Sequence, residues 1–455
     1  MTEYIRLSMH AGLAALGQQW QTMGMMTVIE KHVHIEQKVL RYKPTDKLLD
    51  ALISLLAGGR GVVDVNRRLR PDWGPQRAFG RQGCADQSTI SDTFNACGPA
   101  QVDQLRQALQ QLLRDHGRAY RHDYDAGWQL LDVDLTGLPC GRGAEGATKG
   151  YFAGQKNRRG RQLGRVLASR YDEIVFEQLY PGSQQLEKSL PELISGPEAG
   201  LALTPAQRAR TVVRVDGGGG TETDINWLLG RAYGVLAKVH NWKRAQKLAA
   251  SVTEWLPDPQ DPDRQVGWVT RPYAYAQPTR QVALRWPHPK KPGGWQYTLL
   301  ICSLPDSALF ELARQTPPAV PDPAGSLWAI VAAYDLRGGG VETANRGSKE
   351  GLQIHKRNKR RFAAQQMLLL LAELAYNLLS WLRPVLEATA GARPGLGVKR
   401  LLADVLAIPG RIAWNNNNQV LRIKLHRDYP WAATLHAALR DPLARHGTSL
   451  FLGQI

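Results

Sequence analysis

The chain has 455 residues, 43% of them hydrophobic and 22% charged, and its 58 Lys and Arg against 40 Asp and Glu give a formal net charge of +18. This composition is that of a folded globular protein and excludes a disordered chain. The positive excess indicates a polyanionic partner, with nucleic acid ahead of a membrane surface, and more than half of it lies in residues 341–455, where 17 basic residues accompany 7 acidic ones.

The cysteines and apolar segments indicate a soluble protein of a reducing cytosol. No CxxC pair and no dense, even-numbered pattern occurs among Cys84, Cys97, Cys140 and Cys302, which argues against a disulfide framework and against structural zinc. The first thirty residues lack the pattern of a secretory signal. The most apolar run, residues 367–382, is too short to cross a bilayer and therefore predicts a buried helix.

Residues 44–120 have the pattern of short helices. Leucines recur at helical spacing from Leu48 to Leu56 and end at Gly58, a second helix is predicted to begin at Ser88-Thr89, and residues 101–113 are amphipathic. Arg67, Arg68 and Arg70 lie between these segments, as in a helix-turn-helix DNA reader. A helical dimerisation or scaffold domain fits the same pattern at least equally well.

From Trp128 onwards the sequence predicts an α/β or α+β fold. Strands are predicted at 128–136, 164–169, 173–179, 211–215 and 234–239, with a helix at 223–231. Trp-rich β segments within 255–304 indicate a β insertion. A strand at 327–334 leads to Gly338-Gly339-Gly340 and a long helical stretch through Arg383, and a hairpin is predicted around Asn415–Asn418.

Two aspartates stand on the first of these strands. Asp132 and Asp134 are two residues apart and so project from one strand face, where they are costly without a cation. Taken alone, a solvated sheet face is the better interpretation of this pair. Asp216 follows the apolar strand 212–215 directly, at the edge of a sheet where α/β sites collect. The glycines after it, 217–220, lack the pattern of a nucleotide-binding loop.

A third acid, Glu342, heads a basic segment. A helix beginning near Val341 would place one acid and five polar or basic residues on one face: Glu342, Arg346, Lys349, Gln353, Lys356 and Arg360. An ordinary solvated helix explains this segment as well. Together with the two strand acids, however, Glu342 fits phosphodiester chemistry with two Mg²⁺ ions, for which Mn²⁺ can substitute, because carboxylate oxygens are hard ligands.

These motifs resemble the DDE transposases of bacterial insertion sequences. The resemblance rests on Asp134-Leu-Thr-Gly-Leu, on Asp216 at a strand end, and on Tyr334, Arg337, Glu342 and Lys349. The last four resemble the Tyr-Arg-Glu-Lys signature of the cut-and-paste group, although four residues instead of three separate Arg337 from Glu342. Leu55-Leu-Ala-Gly-Gly, Ser88-Thr-Ile-Ser and Leu406-Ala-Ile-Pro-Gly-Arg are similar to the thirteen-eighty group of the insertion-sequence four superfamily.

The resemblance implies a ribonuclease-H-like catalytic core with a β insertion, preceded by a helical DNA-binding domain. Asp134, Asp216 and Glu342 would be the catalytic metal ligands, with Asp132 a less favoured first ligand. Tyr334, Arg337 and Lys349 would hold phosphates of the transposon end. The further expected DNA contacts are Arg346, Lys356, Arg360, Arg158, Arg159 and Trp295. Trp268 and Trp286 are alternatives to Trp295 for stacking on a flipped base, although a core position is the commoner one for each.

The sequence thus predicts an enzyme that binds terminal inverted repeats, cleaves DNA at the transposon ends and joins the 3′ ends to target DNA. Its expected partners are double-stranded DNA and a second or further copy of the chain, in the bacterial cytoplasm at the nucleoid and away from membranes. The alternative is a transposase-derived DNA-binding protein without activity. A glycosidase with paired carboxylates is less suitable, because that function does not explain the basic C-terminal region. The expected divisions are 1–125 (helical), 126–250 and 311–385 (core), 251–310 (insertion) and 386–455 (basic).

Overall fold

The computed structural model describes residues 3–38, 41–152, 155–320, 322–391 and 395–455, and it shows a mixed α/β fold. The strands within these residues are β1 Glu3–Ser8, β2 Gln129–Pro139, β3 Thr148–Phe152, β4 Gln155–Ala168, β5 Glu173–Pro181, β6 Thr211–Val215, β7 Gly234–Lys238, β8 Leu256–Asp258, β9 Asp261–Trp268, β10 Arg280–Pro287, β11 Trp295–Cys302, β12 Gly410–Asn415, β13 Val420–His426 and β14 Ser449–Gly453.

The helices surround these strands. They are α1 Ala11–Thr22, α2 Met25–His32, α3 Pro44–Leu56, α4 Trp73–Ala78, α5 Gln87–Ala96, α6 Pro99–His116, α7 Leu186–Gly200, α8 Pro205–Arg208, α9 Glu222–Gly230, α10 Trp242–Ala249, α11 Asp306–Ala313, α12 Pro323–Asp335, α13 Thr343–Glu350, α14 Phe362–Ala390, α15 Val398–Arg400 and α16 Ala432–Ala444. Short π-helical turns occur at Val65–Leu69, Gly338–Glu342 and Leu401–Leu406, and a 3₁₀ turn at Ile354–Lys356.

The centre of the large sheet has the ribonuclease-H-like topology that the sequence predicted. Its strand order is β5-β4-β2-β6-β7, in which β2, β6 and β7 run parallel and β4 is antiparallel to both of its neighbours. All five residues of β6, Thr-Val-Val-Arg-Val, are buried. A β-branched strand of this kind is stable only with both faces of the sheet covered, which fixes β6 at the centre of the fold.

The strands of the predicted β insertion extend this same sheet. β11 pairs antiparallel with β7, and β10, β9 and β8 follow outwards in turn. Within the predicted β region 255–304, Tyr273–Tyr275 lie in a loop. The insertion therefore continues the hydrogen-bonded ladder of the core.

Two predictions for the segments on either side of the third acid are wrong. Residues 327–334, predicted as a strand, belong to helix α12. This helix begins at Asp322, whose carboxylate accepts from the backbone N–H of Ala324 at 3.0 Å, with Pro323 in the first turn. The long helix expected from Val341 is broken at Gly351, and α14 begins only at Phe362. Consequently Glu342 and Arg360 do not share one helix face.

The N-terminal helices match the predictions closely. α3 ends before Gly58, which has a φ of +70°, and α6 contains the amphipathic segment. α5 begins at Asp86, whose carboxylate accepts from the N–H groups of Ser88 and Thr89, so these two residues lie inside the helix rather than at its cap.

The apolar run at 367–382 lies in α14, as a buried helix. α14 is long and apolar enough to span a bilayer by length and composition, but 89% of its most apolar window is buried inside the fold. It packs against α3, α5 and α6 on one side and β5 on the other. Such burial is what a core helix of a globular protein shows.

A second sheet of order β1-β12-β13-β14 joins the two ends of the chain. β1 pairs antiparallel with β12 over Glu3–Ser8, and the predicted hairpin between β12 and β13 turns at Asn415–Asn418. Ile412, Ile423, Leu425 and Leu450 are buried on one face of this sheet, towards α1 and α16. The first strand of the sequence therefore completes a C-terminal sheet.

Candidate active site

Two of the three predicted acids lie side by side on adjacent strands. β2 and β6 are parallel and in register up to the pair Val133–Val215, and the next residue on each strand is Asp134 and Asp216. Neighbouring strands are about 4.8 Å apart, so the register alone brings the two carboxylates together. One oxygen of Asp216 accepts from the backbone N–H of Gly218 at 2.8 Å, which fixes its side chain at the start of the glycine run.

The third acid reaches the same place from a π-helical turn. Gly338–Glu342 form this turn immediately before α13, and Glu342 leaves it with a side chain that is 58% exposed. The backbone of this turn leaves helical angles at Gly340 (φ −92°, ψ −111°), so the turn is kinked. The additional residue between Arg337 and Glu342 is thus accommodated inside the turn.

Asp134, Asp216 and Glu342 all line one cavity of about 1320 Å³, together with Arg158 and Lys349. Three distant chain segments therefore contribute an acid to one cavity. Within the described residues, no group of three or more His, Cys, Asp or Glu side chains is placed so that it could hold a metal ion.

Arg337 occupies the space between the carboxylates. It is only 4% exposed, and it donates to Glu342 Oε1 at 2.9 Å and to the carbonyl of Val133 at 3.0 Å, while its Nη2 lies 3.1 Å from Asp134 Oδ1. The predicted contact of Arg337 with a DNA phosphate is therefore replaced in this structure by contacts with the protein's own acids. Burial opposes the charge of Arg337, but Asp134 and Asp216 raise its pKa overall.

The surroundings of Asp134 make its ionised form costly. Burial raises the pKa of Asp134 to about 6, and the charges of Asp216 and Glu342 act in the same direction against the opposing Arg337. A carboxyl in this position is ionised only at a cost, which a divalent cation would offset. Three carboxylates converging on one cavity are also the hard oxygen donors that Mg²⁺ and Mn²⁺ prefer. By donor type, these three residues suit the expected Mg²⁺.

The two remaining signature residues lie close to the acids. Lys349 lines the cavity, and burial lowers its pKa while Asp134 opposes this effect. Tyr334 is half-buried on α12, and burial together with Asp216 and Glu342 raises its pKa. All four residues of the signature are thus gathered around Asp134 and Asp216.

Asp132, the less favoured first ligand, is outside this site. It is fully buried, and Arg214 binds it in bidentate fashion, with Nε to Oδ1 at 2.6 Å and Nη2 to Oδ2 at 2.7 Å. Ser169 donates a further hydrogen bond to Oδ2. Because Arg214 and Ser169 already engage both oxygens, Asp132 is a structural anchor for β6 rather than a metal ligand.

Several predicted DNA contacts lie away from the cavity lining. Arg346 lines a separate cavity on the other side of α13, and Lys356 and Arg360 are exposed beyond the end of that helix. Arg159 donates to the carbonyl of Ala147, whereas its neighbour Arg158 does line the cavity.

The tryptophans considered for base stacking also lie elsewhere. The Trp295 ring packs against the Arg285 guanidinium at 4.3 Å. Trp268 donates to the carbonyl of Pro323 and Trp286 to Gln296, and both pack on the apolar cluster of the insertion. None of the three is among the residues that line the cavity.

Three residues that the sequence did not single out belong to this site. Asn345, 5% exposed on α13, donates from Nδ2 to Asp134 Oδ2 at 2.8 Å. His240 and His355 line the cavity, and their Nδ1 atoms are each 2.7 Å from a backbone carbonyl, of Gly217 and Lys349 respectively. The position of Asn345, one helical turn after Glu342, is a signal that could have identified it.

Among the comparisons with known proteins, only solved structures give a similarity, and it is distant. No protein-family model matches this sequence, and no curated protein matches it significantly. Among solved structures, the chain is similar to the cryo-EM structure of a piggyBac transposase synaptic complex with hairpin DNA. The sequence identity is 11% and the TM-score 0.45, over 92% of this chain and 78% of that one. Similarity at this level does not transfer a function to this chain.

Proposed function

We propose that this protein is a DDE-type DNA transposase that binds the terminal inverted repeats of its element, cleaves the DNA at the transposon ends and joins the 3′ ends to target DNA. The observation that carries the proposal is the convergence of Asp134, Asp216 and Glu342 on one cavity of a ribonuclease-H-like core. The motif resemblance supplies the specific activity. The membership in the insertion-sequence four superfamily and its thirteen-eighty group is part of the same proposal.

Asp134, Asp216 and Glu342 would hold two Mg²⁺ ions, or Mn²⁺ in their place. Ions bound there would activate a water or a 3′-hydroxyl group and stabilise the leaving oxygen of a phosphodiester. The backbone and one neighbouring side chain determine where the carboxylate ligands lie. β2 and β6 fix the two aspartates side by side, and Asn345 holds one oxygen of Asp134.

The basic residues of the cavity would bind the DNA backbone. Lys349 and Arg158 line the same cavity as the acids, where a phosphate entering the site would meet them. Because two transposon ends must be joined in one reaction, we further propose a homodimer or larger assembly on DNA. The protein would act in the bacterial cytoplasm, at the nucleoid.

Metal-dependent cleavage of DNA that carries the element's ends tests the proposal. We expect Asp216→Asn and Glu342→Gln each to reduce the rate in Mg²⁺ at least about a hundredfold, because each removes a carboxylate ligand. Asp263→Asn, which changes an exposed acid of β9, is the matched control. If the two site variants cut as fast as wild type, the assignment of the site is wrong.

A transposase-derived DNA-binding protein without cleavage activity is the second candidate. The observation that favours it is the guanidinium of Arg337, which already bridges Asp134 and Glu342. The same assay separates the two functions. Salt-sensitive binding of end DNA without Mg²⁺-dependent cleavage would support the second candidate, and cleavage would exclude it.

A further inference from the structure

The outer face of the C-terminal sheet carries a charge arrangement that its own fold does not explain. Helices α1, α4 and α16 pack against this sheet, and the buried side chains point towards them. On the opposite face, Leu7, Arg411, Lys424 and Phe451 form one row across all four strands, each paired directly with the next. We call this surface the C-terminal sheet face.

Two positive charges stand directly opposite each other in this row. Arg411 on β12 pairs with Lys424 on β13, and Arg422 lies two residues from Lys424 on the same side. Arg422 is paired with Glu3, but neither Arg411 nor Lys424 forms an ion pair within the described part of the chain. Like charges at directly opposed positions of neighbouring strands destabilise a sheet, so the pair costs the isolated protein stability.

The surroundings of the pair are apolar and exposed. Leu7 is 66% exposed, Ile5 50% and Phe451 47%. Ile5 and Phe451 line a shallow cavity of about 370 Å³ together with Arg411 and Lys424. A row of cations between exposed apolar and aromatic side chains is complementary to a nucleotide chain, which alternates charged phosphates with less polar groups. Phosphates of a DNA backbone neutralise the cations, and the sugars between the phosphates contact the apolar groups.

We propose that the C-terminal sheet face is a second DNA-binding surface, separate from the catalytic cavity, with Arg411 and Lys424 as its phosphate contacts. The inference rests on the proposed function only in taking DNA as the polyanion. A second copy of the chain is the less suitable occupant, because a symmetric contact would bring the same uncompensated cations together.

Salt-dependent DNA binding tests this surface. The probe is a labelled duplex carrying the element's end and its flanking sequence, titrated in fluorescence anisotropy at several NaCl concentrations without Mg²⁺. We expect Arg411→Gln with Lys424→Gln to weaken binding at least about tenfold at 0.15 M salt. The slope of log K against log[NaCl] should fall by about 2, since each lost phosphate contact removes about 0.9.

The control variant is Arg440→Gln with Arg445→Gln. It removes the same charge from α16 and the residue following it, and α16 packs on the inner side of the sheet. It should change the slope by less than about 0.5, because a distant charge is screened within a Debye length of about 10 Å. The Arg411/Lys424 variant should melt at the same temperature as wild type or higher, because it removes like-charge repulsion, and this separates a binding defect from misfolding.

Three results would overturn the proposal. They are an unchanged slope and affinity in the Arg411/Lys424 variant, an equal loss in both double variants, and a changed oligomeric state in sedimentation with unchanged DNA binding. The last would assign the face to a second copy. If wild type itself bound no DNA, the proposed function would fail with it, whereas wild-type binding that the variant retains would leave the proposed function intact.

Discussion

Arg337 and Glu342 are five residues apart in the sequence, and Nη1 of the arginine donates to Oε1 of the glutamate at 2.9 Å. The turn between them, which is kinked at Gly340, brings the two side chains together. The departure from the expected signature spacing thus keeps the two side chains in contact. It also makes Arg337 the cation that the acids hold in this structure.

Arg337→Gln should destabilise the protein by about 3 kcal/mol, because it leaves the buried Asp134 and the neighbouring Glu342 without their positive partner. The measurement is denaturant unfolding with and without 5 mM Mg²⁺. We expect Mg²⁺ to increase the unfolding free energy of the variant, restoring part of the loss, and to increase the unfolding free energy of wild type by less. Arg264→Gln is the matched control, since Arg264 also joins two acids, Asp258 and Asp335. An equal effect of Mg²⁺ on both variants would contradict a cation site at Arg337.

Gly340 should not tolerate a side chain, whereas its neighbour Gly339 should. A Cβ at Gly340 would lie 2.5 Å from Asp132 Oδ2 and 3.0 Å from Ser169 Oγ, and the backbone there has a ψ of −111°. Gly340→Ala is expected to cost about 1–3 kcal/mol of unfolding free energy and to displace Glu342.

Gly339→Ala is the control for Gly340→Ala, and we expect it not to lower the unfolding free energy. A Cβ at Gly339 meets nothing within 4 Å, so Gly339→Ala should be neutral or stabilise the turn by up to about 1 kcal/mol through a smaller loss of chain entropy. Thermal unfolding of the two variants side by side measures the difference. Equal melting temperatures would show that the turn is not packed against Asp132.

The sequence predicted the core of this fold where local chemistry decides the structure. The β-branched run Thr211–Val215 is a strand with those bounds, and the acid that follows it lies at the cavity. Residues 327–334 were misassigned because a short apolar run has no period that distinguishes a strand from a buried helix. The signal that decides it, Asp322 followed by Pro323, lies outside the run.

Other features depend on contacts between distant segments. Arg337 is a residue type that commonly binds phosphates. Only the folded structure shows that its donors are engaged by Glu342 and by the carbonyl of Val133 on the neighbouring strand. The pairing of β7 with β11 likewise joins segments about sixty residues apart. No local pattern encodes such a register, so the continuity of the insertion with the core sheet could not be read from the sequence.

Asp134 should make stability depend on pH. Its pKa is about 6 in the folded protein, above the ordinary value near 3.9, so the folded state binds more protons and the penalty for ionising develops as pH rises from about 4 to 6. Asp134→Asn removes this penalty. The measured quantity is the unfolding free energy of Asp134→Asn minus that of wild type. We expect this difference to increase by about 2–3 kcal/mol as the pH is raised from 4 to 8. A pH-independent difference would contradict the raised pKa.

Asn345 should control how well Asp134 binds a metal ion. The Asn345 amide holds Oδ2 of Asp134, and the groups behind a ligand typically change metal affinity about 10- to 100-fold when removed. Asn345→Ala is expected to raise the half-saturating Mg²⁺ concentration for DNA cleavage at least about tenfold and to weaken Mn²⁺ binding, measured by electron paramagnetic resonance without DNA, by a similar factor. Ser348→Ala is the control, because Ser348 is equally buried on α13 and its hydroxyl has no hydrogen-bond partner in the described part of the structure. A loss of maximal rate with unchanged metal dependence would assign Asn345 to folding of the helix instead, since a purely structural defect does not move the metal midpoint.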